Sequence, residues 1–203
     1  DSKIQAVEKR ITEAVTGIDY NDPADLSKPP PPTTKETVWI EDALPPKAAA
    51  QGNTPWKFVS APEPVFSGAT ASVREAKGLS QHYFTGANPP LVIEDGMKLF
   101  AHVYLDATNP PKQIMLQFND GTWEHRAYWG GNQIEWGQND SVSRRRMGDL
   151  PETGKWVRLE VDVEQVGLKP GAQLNGWAYT QFDGKVYWDQ SGGHVTTNPV
   201  TDP

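Results

Sequence analysis

The sequence predicts an all-β protein, a sandwich of two antiparallel sheets with jelly-roll topology. From Thr37 onward, about ten short runs of alternating or apolar residues follow one another without a long helical stretch. Turn residues such as Asn109-Pro110-Pro111 and Asp183-Gly184 separate these runs at nearly regular intervals. The chain holds 18 Gly and 18 Pro, which favours many turns over a helical bundle. Short strands that lack covering helices bury their apolar sides against a second sheet.

The residues that precede this region predict a helix and a linker. Apolar residues spaced three and four apart form one stripe of an amphipathic helix over residues 1–19. Residues 20–36 contain four consecutive prolines, which favour a stiff, extended linker. We expect the sandwich over residues 37–192 and a flexible tail over residues 193–203. The helix is expected to belong to a neighbouring region of a longer parent protein or to dock on the side of the sandwich.

The strands are predicted from period-two alternation and from the turns that bound each run. They are Thr37–Glu41, Trp56–Ser60, Thr70–Ala76, Gln81–Thr85, Met97–Asp106, Lys112–Phe118, Thr122–Trp129, Lys155–Asp162, Ala172–Phe182 and Lys185–Asp189.

The pair of strands around Asp120-Gly121 carries the most informative pattern. Asp-Gly suits a two-residue type I′ hairpin, which would place Phe118 opposite Trp123 and Leu116 opposite His125. Alternation then predicts two faces. The core face holds Ile114, Leu116, Phe118, Trp123 and Ala127. The other face holds Gln113, Met115, Gln117, Glu124, Arg126 and Tyr128.

This second face predicts a binding surface. A guanidinium beside a carboxylate and an amide offers the donors and acceptors that vicinal sugar hydroxyls need, so Gln117, Glu124 and Arg126 form the sharpest hypothesis. The alternative is a cross-strand salt bridge on an exposed sheet. Tyr128 and Trp136 are candidate platforms for a sugar ring, because aromatic faces attract partly positive groups.

Three further groups of residues extend this hypothesis. If the strand Met97–Asp106 pairs beside Lys112–Phe118, then His102 and Tyr104 join the same face. The candidate contacts to an acidic glycan are Arg144, Arg145 and Arg146, which could instead pair with Glu135, Asp140 or Asp149 and order their loop. A possible structural Ca²⁺ would use Glu41, Asp42 and Asp189, because carboxylate oxygens suit this ion; ordinary surface charge is the alternative.

Composition excludes several classes of function. A net charge of −7 and a pI near 5.1 argue against binding to a nucleic-acid backbone. The absence of cysteine excludes disulfides, thiolate zinc sites and c-type haem attachment within this sequence. No run of about 18 apolar residues occurs, so no membrane span is expected. The chain is expected to be monomeric when isolated.

Five segments carry a resemblance to a known family. They are WIEDALPP at 39–46, SQHYFTGA at 80–87, LFAHVYLDATNPPKQIMLQFNDGTWEHRAYWG at 99–130, SRRRMGDLPETGKWVRLEV at 143–161 and LNGWAYTQFDGKVYWD at 174–189. Together they resemble a jelly-roll module, similar to carbohydrate-binding modules, of large exported bacterial proteins, including planctomycete proteins with c-type cytochrome domains. The resemblance implies a periplasmic, cell-surface or extracellular location, with other domains of the parent protein as partners.

Three functions are consistent with these observations. The first is a non-catalytic carbohydrate-binding module that takes a polysaccharide or oligosaccharide, tethered by its linker to something larger. The second is a structural or protein-interaction domain of a cell-surface assembly. The third is a jelly-roll polysaccharide lyase or hydrolase, because Gln81-His82-Tyr83, Arg126 and Tyr128 resemble sites where His or Tyr removes a proton beside a uronate carboxylate.

Overall fold

The computed structural model describes residues 31–52 and 55–198, and the regular secondary structure of these residues is almost entirely β-strand. The predicted helix over residues 1–19 and most of the predicted linker lie outside the described residues. The strands are β1 Thr33–Ile40, β2 Ala49–Gln51, β3 Phe58–Val59, β4 Ala71–Thr85, β5 Leu91–Val92, β6 Lys98–Leu105, β7 Gln113–Asn119, β8 His125–Gly130, β9 Arg145–Gly148, β10 Trp156–Asp162, β11 Gln173–Leu174 and β12 Gly176–Thr197. A short 3₁₀ turn, Val163–Val166, follows β10.

The two long strands β4 and β12 organise the fold. Along one edge of β12, β7 pairs with Gly176–Phe182 and β6 pairs with Val186–His194. The other edge pairs with β4 on both sides of a register shift between Phe182 and Gly184. Gly184 has a φ of 76°, and a side chain at this position would collide with the backbone of Pro111. β12 therefore changes direction at Gly184 and contributes to two sheets.

Ten of the described strands form one continuous hydrogen-bonded sheet, and the bend folds it into two layers, sheet A and sheet B, that share one core. β5 and β11 form a separate two-stranded sheet. Sheet A contains β9, β8, β7 and the first segment of β12, with the second half of β4 and β2 beyond it. Sheet B contains β10, β6 and the second segment of β12, with the first half of β4, β3 and β1. The apolar side chains of β6 and β7 belong to the same buried cluster. The predicted β-sandwich is thus confirmed, and β8 and β9 pair in parallel.

Several predicted boundaries differ from the observed strands. The two predicted strands over residues 70–85 are one strand, β4, and the two over residues 172–189 are largely one strand, β12. Asp183-Gly184 marks a bend here rather than a turn, because pairing with β4 resumes after it. The predicted tail is wrong for residues 193–197, which continue β12, and the first strand begins at Thr33 rather than at Thr37.

The β7–β8 hairpin has a longer loop than predicted. Phe118 pairs with His125 and Leu116 with Ala127, a shift of two residues from the type I′ register. The loop is held by its own side chains: Asn119 Oδ1 accepts from Gly121 N at 2.9 Å, and His125 Nε2 lies 3.2 Å from Asp120 Oδ1. Because the shift is even, the faces of both strands are as predicted.

The facing of β6 is also as predicted, but its neighbours are not. Its alternate residues Leu99, Ala101, Val103 and Leu105 are fully buried in the core. The predicted pairing of this strand with β7 is wrong, because β6 pairs with β10 and β12 in sheet B. The connection through Asn109-Pro110-Pro111 carries the chain from one sheet to the other.

The chain divides into two units. Glu36–Val195 forms the larger unit, and described residues 31–35 and 196–198 belong to the second. Within the second unit, the hydroxyl oxygens of Thr34 and Thr196 lie 3.0 Å apart. In the described part of the chain, no helix has the length and apolar character needed to cross a membrane.

Candidate functional site

A cleft of about 260 Å³ lies over the face of sheet A that points away from the main core. We call it the aromatic cleft; it is lined by Gln81, Tyr83, Gln117, Trp123, Arg126 and Trp136. Strand alternation explains the contribution of β4, because Gln81 and Tyr83 are partly exposed while His82 and Phe84 are buried. The same alternation brings Gln117 of β7 and Arg126 of β8 to this face, where they pair directly across the strands.

Arg126 is the centre of the polar network in the cleft. Its Nε donates to Gln117 Oε1 at 2.9 Å, and its Nη1 donates to the backbone carbonyl of Ser143 at 3.0 Å. Nη1 and Nη2 also donate to the two oxygens of Glu124 at 3.2 and 3.1 Å, a bidentate ion pair. The guanidinium is therefore held in a fixed orientation by three different residues.

Glu124 stands at the rim of the cleft. Its side chain is 61% exposed, whereas that of Arg126 is 7% exposed. The hydrogen bonds from Arg126, aided by its positive charge, lower the pKa of Glu124 below the usual value. Glu124 is thus an ionised acceptor that a ligand can reach from solvent.

A pair of amides continues the network across sheet A. Gln117 Nε2 donates to Gln81 Oε1 at 3.1 Å and to Thr180 Oγ1 at 2.7 Å. These bonds order Gln117, Gln81 and Thr180 across three neighbouring strands, β7, β12 and β4. The polar wall is preorganised, which reduces the entropy cost of binding.

Three aromatic side chains complete the cleft. Trp123 meets Tyr83 edge to face, with ring centroids 5.5 Å apart. Trp136 packs on a second small apolar cluster of Met115, Tyr128 and Ile134 beneath the 131–144 loop. Both indoles are only partly buried, so each presents surface to the cleft.

Trp123 was predicted to lie in the core and instead lines the cleft. The prediction was wrong because the loop over residues 120–124 is longer than a two-residue turn, so Trp123 lies outside both strands. The sequence signal for this longer loop is a pair of further turn-forming residues, Asn119 and Thr122, that flank Asp120-Gly121. Their side chains form hydrogen bonds within the loop.

Tyr128 lies on the predicted face but beneath the cleft lining. It is 1% exposed, and its hydroxyl donates to Asn139 Oδ1 at 2.7 Å. Burial raises the pKa of this phenol. Tyr128 therefore anchors the 131–144 loop rather than offering a platform. Trp136 lines the cleft, and its role as a platform for a sugar ring stays a prediction.

His102 and Tyr104 are in sheet B and do not join the predicted face. His102 is buried, its ring stacks on Phe66 with centroids 3.8 Å apart, and its Nδ1 lies 2.9 Å from the carbonyl of Gln190. Tyr104 packs edge to face on Tyr187. The expected adjacency fails because β6 and β7 pair with different segments of β12.

The three consecutive arginines bind other parts of the protein. Arg144 is buried and donates to the carbonyl of Ile134 at 2.9 Å, and Arg145 donates to the carbonyl of Gln165 at 3.3 Å. Arg146 pairs with Asp149 at 2.7 Å, as the alternative hypothesis expected. None of the three lines the cleft.

Two of the three carboxylates predicted to bind calcium, Asp42 and Asp189, accept hydrogen bonds from backbone amides, whereas the buried Glu41 Oε1 has no hydrogen-bond partner among the described residues. Asp42 Oδ1 accepts from the amides of Ala69 and Thr70 at 2.6 and 2.7 Å, and Asp189 Oδ2 accepts from those of Phe66 and Ser67 at 2.8 and 3.2 Å. In residues 31–52 and 55–198, no group of three or more His, Cys, Asp or Glu side chains, Glu41 among them, lies close enough together to hold a metal ion. Calcium binding by these residues stays a prediction.

His82 lies on the core side of β4, away from the cleft. Its Nδ1 accepts from Arg74 Nε at 3.2 Å, and its ring packs edge to face on Trp56 at 4.4 Å. Burial, together with the positive charge of Arg74, holds the pKa of His82 well below its usual range. This position does not support the role of proton-abstracting base that the lyase hypothesis required.

The neutral state of His82 predicts how stability depends on pH. In the unfolded chain a histidine titrates near its usual pKa of about 6.5, so below this pH the unfolded state binds more protons than the folded state. We expect the free energy of unfolding to fall by about 1 kcal/mol for each pH unit below about 6.5 on account of His82. Burial lowers the pKa of His102 too, which adds to the effect.

Urea unfolding at pH 7.0 and at pH 5.5, which is about one unit below the usual histidine pKa, checks this expectation. His82→Gln should reduce the difference between the two pH values even if the variant is less stable at both. Equal stability of the wild-type protein at the two pH values would show that His82 takes up no proton on unfolding.

Comparisons with known proteins give structural likenesses only. No family model matches the sequence, and no curated protein matches it. The family 11 carbohydrate-binding module of Clostridium thermocellum, in complex with a β-1,3-1,4-mixed-linked tetrasaccharide, is similar at 9% identity and a TM-score of 0.45, over 82% of this chain and 98% of that one. The K2 cleaved adhesin domain of Lys-gingipain gives 12% identity and a TM-score of 0.45, over 80% and 99%.

Another similar structure is SGBP-B, from a complex xyloglucan utilization locus in Bacteroides uniformis. It gives 9% identity and a TM-score of 0.44, over 77% of this chain and 49% of that one. Two further structures are matched over 66% and 39% of their length, so this chain spans less than two thirds of them.

Proposed function

We propose that this protein is a non-catalytic carbohydrate-binding module. The observation that carries the proposal is the aromatic cleft itself, in which Tyr83, Trp123 and Trp136 surround a fixed polar wall of Gln81, Gln117 and Arg126. Indole rings offer stacking surfaces for the C–H face of a pyranose, and ordered amides offer partners for its hydroxyls. An open cleft that combines the two is suited to a segment of a glycan chain.

The chemistry of the cleft supports binding rather than catalysis. Glycoside hydrolysis ordinarily requires two carboxyl groups that flank the scissile bond. Among the described residues lining the cleft there is no Asp or Glu, and Glu124 at the rim is tied to Arg126. The lyase hypothesis loses His82 to the core and Tyr128 to the floor of the loop. Its remaining phenol, Tyr83, lines the cleft, where it packs edge to face with Trp123, and the Arg126 guanidinium that would neutralise a uronate is already paired with Glu124.

The cellular setting is part of the proposal. We place the module in a larger exported bacterial protein, at the cell surface, in the periplasm or outside the cell. The support is the sequence resemblance to modules of such proteins, planctomycete ones among them, and the proline-rich sequence that precedes β1. A tethered module would raise the effective concentration of its partner domains at a polysaccharide.

A glycan array of neutral and acidic polysaccharides tests the proposal with Gln81→Ala beside the wild-type protein. Gln81→Ala removes the acceptor of Gln117 Nε2 and a direct cleft contact, and should weaken binding roughly tenfold, as the loss of about 1.4 kcal/mol would. Gln173→Ala, on the exposed end of β11, is the matched control and should bind as the wild type does. No binding to any polysaccharide, or equal binding of all three proteins, would contradict the proposal.

A further inference from the structure

We infer that the aromatic cleft takes a neutral glycan rather than a polymer of uronic acids. This inference rests on the proposed function and names the class of ligand for the same site. Its starting point is that Arg126 is the only positively charged residue among the described residues that line the cleft. Recognition of a uronate carboxylate would therefore depend on this one guanidinium.

The hydrogen bonds of Arg126 leave too few donors for that task. A guanidinium has five N–H groups, and a carboxylate is recognised most strongly by two of them in parallel. Gln117 takes the Nε–H, Glu124 and the Ser143 carbonyl take the two N–H groups of Nη1, and Glu124 takes one from Nη2. One N–H remains, which cannot form a bidentate pair.

The charge of the cleft points the same way. Glu124 neutralises Arg126, and because its pKa is lowered it stays ionised at neutral pH. A uronate that approached the last N–H of Arg126 would meet this exposed carboxylate, a like charge that disfavours binding. The net charge of −7 on the whole chain adds repulsion toward an acidic polymer.

Neutral hydroxyls fit the groups that remain. The oxygens of Glu124 keep unused lone pairs, so they accept from a sugar O–H. The bonds that described residues make to Gln81 use only its Oε1, which leaves the Nε2 amide as a donor. A hydroxyl both donates and accepts, whereas a carboxylate only accepts, so a site with an anionic acceptor at its rim selects the hydroxyl.

Glu124→Gln tests the inference, because it keeps the size of the side chain and removes the charge that neutralises Arg126. Affinity gel electrophoresis would compare two neutral polysaccharides, mixed-linkage β-glucan and galactan, with two acidic ones, alginate and polygalacturonate. The wild type should be retarded by at least one neutral polymer and by neither acidic polymer. Glu124→Gln should gain retardation by an acidic polymer, which added salt should suppress.

The control is Glu152→Gln, which makes the same chemical change at an exposed surface pair with Lys155 and should migrate as the wild type does. Circular dichroism of each variant checks that the sandwich is folded. If alginate or polygalacturonate retarded the wild type more strongly than the neutral polymers do, the inference would be overturned and the proposed function would stand. A folded Glu124→Gln that gains no acidic ligand would also overturn it, whereas no retardation by any polymer would contradict the proposed function itself.

Discussion

Replacing Trp123 with alanine is expected to weaken glycan binding by roughly 30-fold, which corresponds to about 2 kcal/mol, the loss typical of an aromatic anchor. Trp136→Ala is expected to lose at least about tenfold for the same reason. Trp123 is held edge to face on Tyr83, and Trp136 is held on the apolar cluster beneath its loop. Each indole is therefore a fixed surface, and little entropy is lost when a sugar ring stacks on it.

Isothermal titration with an oligosaccharide from the best polysaccharide measures these losses. Trp156→Ala provides a matched control, since this partly buried tryptophan belongs to β10 in sheet B. Its removal should leave the dissociation constant unchanged. If Trp123→Ala and Trp156→Ala bound alike, the stacking role of Trp123 would be wrong.

The largest effect on stability is expected for Trp177→Ala. Trp177 is fully buried between the sheets and meets Phe118 edge to face, with ring centroids 4.6 Å apart. Trp39 and Tyr179 pack against it at 6.4 Å each. The cavity left by alanine should cost about 3–5 kcal/mol, a large part of the stability of an ordinary domain.

Urea denaturation gives this value, and Trp177→Phe serves as the comparison. In the described part of the structure, Trp177 Nε1 is buried without a hydrogen-bond partner, so phenylalanine gives up a desolvated N–H along with part of the ring. We expect Trp177→Phe to recover most of the stability that alanine loses. A loss below about 1 kcal/mol for Trp177→Ala would mean that Trp177 is not a central part of the core.

The sequence predicted the faces of the strands well, because alternation is a local property. Gln117 and Arg126 were placed on one face and Ile114 and Leu116 on the other, and the structure agrees. The faces were correct although the predicted register of the β7–β8 hairpin was wrong, because a shift of two residues returns each side chain to the same face. A shift of one residue would have reversed every assignment.

Loop length and long-range pairing could not be predicted in the same way. The position of Trp123 depends on side-chain hydrogen bonds within the loop over residues 120–124. These hydrogen bonds compete with a simple two-residue Asp-Gly turn. The positions of His102 and Tyr104 depend on the bend at Gly184, because β6 and β7 pair with β12 on opposite sides of this bend and lie in different sheets. Neither property is encoded by the periodicity of a single strand.

The indole N–H signals of the eight tryptophans offer the most direct test of the central claim, that a glycan binds in the aromatic cleft. Each would be assigned in a ¹⁵N-labelled sample and followed during titration with a neutral oligosaccharide. The signals of Trp123 and Trp136 should shift with the ligand, while those of Trp156 and Trp188, in sheet B, should not. Shifts that concentrate on Trp156 and Trp188 while binding is measured would place the ligand on the other sheet and contradict the account.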